Sequence, residues 1–202
     1  MEKIIEKIEF VYQFLNKSKS VGAVLPSSKY LAKKILSFVD FNIKNLVIVE
    51  YGPGTGPFTI EIAKNLKASD KLIVIELNTK FAKDLKEKFK GYKNVVIYED
   101  CVANTNKILQ KEGVKKVDYV ISGIPFSSIP KDVTEDILQT TNKIIDNDTT
   151  FLTFQYSKYK KQTFEKYFEI IDTKFVLRNV PSAYVFCMRK IKGWRINNLN
   201  VK

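Results

Sequence analysis

The sequence predicts a three-layer α/β fold around a mostly parallel, doubly wound sheet that ends in an antiparallel hairpin. Three observations predict it. Apolar runs at 46–51 (LVIVEY), 72–77 (LIVIEL), 95–98 (VVIY) and 117–121 (VDYVI) alternate with helical segments, the pattern of buried parallel strands joined by crossover helices. A glycine-rich turn, Gly52-Pro53-Gly54-Thr55-Gly56, follows the first run, where an open α/β sheet binds its ligand. Two last apolar runs, 173–179 and 183–189, leave no room for a helix between them and must pair antiparallel.

The elements follow in order. Residues 2–17 put Ile4, Ile8, Val11 and Leu15 on one helical face, with Lys and Glu opposite. This is an amphipathic helix, suited to packing on the domain or to lying in a membrane interface. Gly22 and Pro26 break the chain, and Ser27 or Ser28 can cap a second helix with the apolar face Leu31, Ile35 and Val39. Residues 1–40 are therefore expected to form N-terminal amphipathic and lid helices, and 41–202 the main domain, within one globular unit. Helices are expected near 57–67, 79–90, 103–112 and 131–145, the last starting after Pro130. A fifth strand fits 150–156 (TFLTFQY), and 159–169 reads as a helix.

Composition narrows the chemistry. At 202 residues, 45% apolar and 28% charged, the chain reads as one globular domain with a sizeable core. It has no apolar run of about 18 residues, as a membrane-spanning helix needs, and its first residues do not resemble a signal peptide. Cys101 and Cys187 show no metal-ligand spacing. A reducing, cytoplasmic setting is the expectation. There is no histidine, which rules out Ser-His and Cys-His nucleophiles, argues against a zinc site and removes the usual general base. The net charge is +12. Residues 1–35 contribute +4 and 158–202 contribute +8, while 36–157 balance to zero. Two basic ends suit one anionic partner, either a lipid surface or a nucleic acid.

The glycine turn sits among strand-end acids. The first strand ends in Glu50, the second in Glu76, the third in Asp100, and the fourth in Ser122-Gly123-Ile124-Pro125-Phe126. No GxxxxGK[ST] motif is present for a triphosphate. The spacing is GxGxG rather than the dinucleotide GxGxxG. Glu50, two residues before Gly52, would repel a pyrophosphate and suit a cationic ligand.

This ordered set resembles the class I S-adenosylmethionine-dependent methyltransferases. The resemblance implies their Rossmann-like sheet, S-adenosyl-L-methionine as donor, S-adenosyl-L-homocysteine as product, and no metal. It implies that Gly52, Gly54 and Gly56 pass their backbone close to the donor and that Glu50 sits near its amino acid end. Glu76 would take both ribose hydroxyls, Asp100 the adenine amino group with the Cys101 amide beside it, and the Ser122 backbone the methionine end.

The fourth strand's motif bears on the acceptor. Adenine N6 methyltransferases, including the ribosomal RNA dimethyltransferases, resemble this chain in a proline followed by an aromatic. They place an Asn or Asp two residues before that proline as acceptor for the target amine. Gly123 stands there in this chain. Those enzymes also carry a helical C-terminal domain, whereas about a dozen residues follow the last strand here.

SVGAVLPSSKYLA, SGIPF, FQYS and RNVPSAYV look more like the bacterial phospholipid N-methyltransferases, which methylate phosphatidylethanolamine. Where that family has a second proline, this chain has Ser182. The resemblance implies direct SN2 transfer to a neutral amine, with phosphatidylethanolamine converted towards phosphatidylcholine. The expected partners are an anionic membrane surface and a phospholipid substrate, with no obligate protein partner. The expected location is peripheral, on the inner face of the cell membrane. Without histidine, the amine's proton leaves to water or through a tyrosine; Tyr30 and Tyr156 are the candidates. Phe126 is the expected apolar platform, and Arg178 a candidate for the lipid phosphate through its planar fork. RNA adenine N6 methylation and small-molecule methylation are the alternatives.

Overall fold

The computed structural model describes residues 29–192. The amphipathic helix expected at 2–17, the segment 18–28 and the residues after 192 lie outside the described residues. The α-helices and strands follow in order: α1 (Lys29–Leu36), β1 (Val47–Tyr51), α2 (Pro57–Ala63), β2 (Lys71–Glu76), α3 (Thr79–Lys88), β3 (Val95–Glu99), α4 (Thr105–Lys111), β4 (Tyr119–Ser122), α5 (Lys131–Ile144), β5 (Thr150–Gln155), α6 (Lys161–Glu165), β6 (Phe168–Val176) and β7 (Ala183–Lys190).

The seven strands form one sheet in the order β3-β2-β1-β4-β5-β7-β6. β1 to β5 run parallel, while β7 lies antiparallel between β5 and β6. The expected three-layer sheet with an antiparallel end is thus present. The order reverses between β1 and β4, so their carboxyl ends open the crevice used for ligands in this architecture.

Both sheet faces are covered, which is why the inner strands read as continuous apolar runs. Val49, Tyr51, Ile73, Ile75 and Val120 face the layer containing Ile108, Ile137 and Leu138 of α4 and α5. Ile48, Leu72, Val74 and Ile121 face Leu31, Ile35, Phe58 and Leu85 of α1, α2 and α3. Strand alternation puts Glu50 and Glu76 on this second face with Ile48 and Val74. α1 belongs to the same core, since Leu31, Ala32 and Ile35 are fully buried.

One expected helix is much shorter than its pattern. Residues 159–169 contain only the five-residue α6, and β6 starts at Phe168. Phe164, Tyr167 and Phe168 are all buried, so their apolar spacing matched a helix. Phe168 nevertheless pairs with Lys190 at the far end of β7. Cross-strand pairing along all of β7 overrides the local helical pattern. Among the described residues no helix is long and apolar enough to cross a membrane.

Candidate active site

The carboxyl ends of β1, β2 and β4 meet at the glycine turn. Gly52 donates its amide to the Ile75 carbonyl at 2.9 Å, so the turn begins tied to β2. Gly52, Gly54 and Gly56 have φ of 58°, 59° and 82°, a left-handed backbone that costs other residues about 1–2 kcal/mol. Gly56 caps α2, with Pro57 at its first position. A Cβ on Gly56 would lie 2.6 Å from Leu85 Cδ2, whereas one on Gly54 would meet nothing within 4 Å. Gly54→Ala should therefore lower stability by about 1 kcal/mol through strain alone. Gly56→Ala should lower it by about 1–3 kcal/mol more, read as the difference between the two denaturant midpoints.

Glu76 is fully buried and ties the turn to the end of β2. Its Oε2 accepts from the Gly54 amide at 2.9 Å and its Oε1 from the Asn78 amide at 2.8 Å. Asn78 also caps α3, its Oδ1 accepting from the Phe81 amide at 2.9 Å. Asp100 sits one strand further along, with its amide donating to the Glu76 carbonyl at 3.1 Å. Its Oδ1 accepts from the Cys101 amide at 2.6 Å and from Asn104 Nδ2 at 2.7 Å. The Cys101 amide, expected beside Asp100 at the adenine, here donates to the Asp100 carboxylate.

Glu50 differs from both. It is fully buried, and neither carboxylate oxygen has a hydrogen-bond partner among the described residues. Burial pushes its pKa up from 4.5 to about 8, and the Glu76 charge adds to the shift. The neighbouring Thr59 hydroxyl and amide oppose it, but the hydroxyl lies outside bonding geometry. A buried acid beside a glycine turn, with no hydrogen-bond partner among the described residues, leaves room for a ligand group, ion or water to serve as its partner.

The loop after β4 closes the other side. Ser122 is fully buried, its carbonyl accepting from Thr153 Oγ1 at 3.1 Å and its Oγ from the Ile124 amide at 3.3 Å. Gly123 donates its amide to the Tyr51 carbonyl at 2.8 Å. A Cβ at Gly123 would lie 2.6 Å from the Gly52 carbonyl oxygen, so the loop abuts the glycine turn backbone to backbone. Gln155, buried at the end of β5, clamps this loop. Its Nε2 donates to the Ile124 carbonyl at 3.1 Å and its Oε1 accepts from the Ser127 amide at 3.2 Å. The sequence pattern did not single out Gln155; its signal is the one amide side chain in a fully buried strand.

The acceptor-side expectations fare unevenly. Phe126 has no exposed surface and packs edge to face on Phe164 at 5.5 Å between centroids. It is a core residue here and offers no face to a ligand, because the loop turns its ring under the sheet. Tyr30 and Arg178 do come together, with the guanidinium carbon 5.7 Å from the ring centroid of the half-exposed tyrosine. Tyr156 follows β5 at the same edge of the sheet. Partial burial raises its pKa, and its ring lies 5.8 Å from that of Phe154.

Comparison with known proteins sets this geometry in context. The family model of the ribosomal RNA adenine dimethylases matches residues 9–178. Ornithine lipid N-methyltransferase from Singulisphaera acidiphila is 29% identical over 184 residues, covering 91% of this chain and 95% of that protein. Ribosomal RNA small subunit methyltransferase A from Mycoplasma mycoides is 34% identical over 128 residues, or 63% of this chain. The match spans only 45% of that relative. Among solved structures, TrmN from Thermus thermophilus superposes with a TM-score of 0.66 at 14% identity, over 85% of this chain and 51% of its own. The N-methyltransferase NodS from Bradyrhizobium japonicum, in complex with S-adenosyl-L-homocysteine, superposes at 0.63 with 8% identity, over 81% and 88%. At such identities the structural likeness establishes the fold alone.

Proposed function

This chain belongs to the ribosomal RNA adenine dimethylase family and is an S-adenosylmethionine-dependent methyltransferase, and from that premise we propose that it methylates the primary amine of a membrane lipid headgroup. Phosphatidylethanolamine, converted stepwise towards phosphatidylcholine, is the first substrate to expect. The carrying observation is Gly123. The adenine methylases that this chain resembles have an amide or carboxylate side chain at this position. Here any Cβ would strike the Gly52 carbonyl at 2.6 Å, so the chain has neither the side chain nor the space for one. Support also comes from the near full-length match to a relative named for a lipid acceptor.

The residues present fit the donor. The sulfonium supplies both the methyl group and its leaving group. Glu50, buried without a partner among the described residues, is the counter-charge for the donor's cationic end. The bare backbone at Gly52, Gly54 and Gly56 allows close approach, and Ser122 borders the same end. Glu76 and Asp100 each retain acceptor capacity, for the ribose hydroxyls and the adenine amine, with the Cys101 amide holding Asp100 in place. Alignment and exclusion of water are then the main contributions of the protein.

An attacking amine must be neutral. No histidine exists to take its proton, so Tyr156 or Tyr30 accepts a hydrogen bond from the amine as the proton passes to water. Arg178, held on Tyr30, takes the lipid phosphate. The enzyme works peripherally at an anionic membrane surface, from the cytoplasmic side.

The test supplies donor together with anionic vesicles carrying either phosphatidylethanolamine or ornithine lipid, and separately with ribosomal RNA. Mass spectrometry should show mono- and dimethylated lipid in one or both vesicle arms. Which lipid arm responds identifies the headgroup. Methyl transfer to RNA with none to either lipid would overturn the proposal.

A further inference from the structure

We propose that the turn between β6 and β7 is a membrane-inserting tip, with Leu177 and Val180 entering an anionic lipid surface and Arg178 and Lys158 meeting its phosphates. This rests on the reading of a lipid acceptor. Leu177 is 75% exposed and Val180 72% exposed. Such large aliphatic side chains usually contribute to a core. Here both project from one short turn beyond the last β6–β7 pair, Val176 with Ala183. The turn itself is built to hold them out. Asn179, between them, is buried, and its Nδ2 donates to the Pro181 carbonyl at 2.6 Å.

Position gives the tip its purpose. Gln155 at the carboxyl end of β5 pairs with Tyr184 at the start of β7. The turn therefore projects past the edge of the sheet where the candidate active site opens. Arg178 reaches from the turn to Tyr30 at the start of α1. On its other flank Lys158 lies 4.9 Å from the Tyr184 ring, beside Tyr159, which is 79% exposed. Amphipathic tyrosines and basic side chains around an apolar tip are what a headgroup region accommodates.

Charge supports the same partner. Residues 156–161 and 173–184 together hold four Lys and one Arg and no Asp or Glu, and two of these lysines, Lys161 and Lys174, pair with Glu165 and Asp172 just outside the two stretches. An RNA phosphate backbone would satisfy these cations but would leave Leu177 and Val180 in water. An anionic bilayer satisfies both, with phosphates for the collar and acyl chains for the tip. Insertion there would seat the mouth of the site over the headgroup amines.

Leu177→Asp/Val180→Asp and the milder Leu177→Ser/Val180→Ser are compared with the full-length wild type by sedimentation with phosphatidylglycerol vesicles. Vesicle affinity should fall by about tenfold or more in both variants, since burial of one such side chain corresponds to at least that factor. Methylation of a short-chain, monomerically dissolved phosphatidylethanolamine should be unchanged, which also shows that the variants fold. If the wild type methylates the dissolved lipid and both variants sediment as it does, the inference fails while the acceptor reading stands. If the wild type methylates neither the dissolved phosphatidylethanolamine nor phosphatidylethanolamine or ornithine lipid carried in vesicles, the acceptor reading fails. A wild type that binds RNA but no vesicle overturns the inference as well.

Discussion

Glu50→Gln is expected to weaken donor binding by about 10- to 100-fold, the factor that a charge-assisted hydrogen bond contributes in a buried site, and to abolish its pH dependence. In the wild type, burial holds the Glu50 pKa at about 8. A cationic donor favours the ionised carboxylate, so binding releases a proton below that pH. Wild-type affinity should therefore rise as pH is raised towards about 8 and level off above it, by up to about tenfold per pH unit. Titration calorimetry in buffers of different ionisation enthalpy reads both the affinity and the proton. Equal affinity of wild type and variant across this range would remove Glu50 from the donor site.

The same residue gives a stability signature with a fixed sign. Its folded-state pKa lies above the ordinary 4.5, so between these values the folded state holds more protons than the unfolded state. Donor-free wild type should then lose stability as pH rises from about 4.5 to about 8, with a slope of at most about 1.4 kcal/mol per unit. Glu50→Gln lacks this slope. A site that destabilises the free protein while serving its ligand is a known trade between stability and function.

Gly123→Asn is expected to damage donor binding without creating adenine methylation. The added Cβ would meet the Gly52 carbonyl oxygen at 2.6 Å, and a backbone atom inside a hydrogen-bonded turn cannot rotate aside. Overpacking of this kind costs about 1–3 kcal/mol and would shift the glycine turn against Glu76. Gly123→Ala should do nearly as much, which separates the steric effect from the amide. Thermal melts and donor titration measure both. A folded Gly123→Asn enzyme with wild-type donor affinity and new activity on RNA would defeat the argument from which the lipid acceptor follows.

Much of the donor side of the site is legible in the amino-acid sequence. Glu50 and Glu76 fall at the penultimate positions of apolar runs and Asp100 just after one, so the runs place them at or next to the carboxyl ends of strands. The glycine turn is marked by three glycines in five residues, and the folded chain gives all three a positive φ. The acceptor side is less legible. Phe126 follows a proline in a motif where an aromatic suggests a platform, yet its ring packs against Phe164 from α6. Gln155 falls inside the run 150–156 that reads as a strand, and its role depends on a loop that comes about 30 residues earlier in the chain. The early start of β6 is hidden for a similar reason. Phe164, Tyr167 and Phe168 fit a helical stripe, and only pairing with the far end of β7 makes Phe168 a strand residue.

Periodicity along the chain is enough to establish the parallel sheet, its crossovers, the closing hairpin and the acids at the strand ends, because burial on both faces forces continuous apolar runs and their interruption is local. The approach of Gly123 to the Gly52 carbonyl, the Glu50 carboxylate without a hydrogen-bond partner among the described residues and the outward tip of Leu177 and Val180 arise in the folded arrangement. Each depends on what lies opposite a residue in space, and neighbours in sequence carry no record of that.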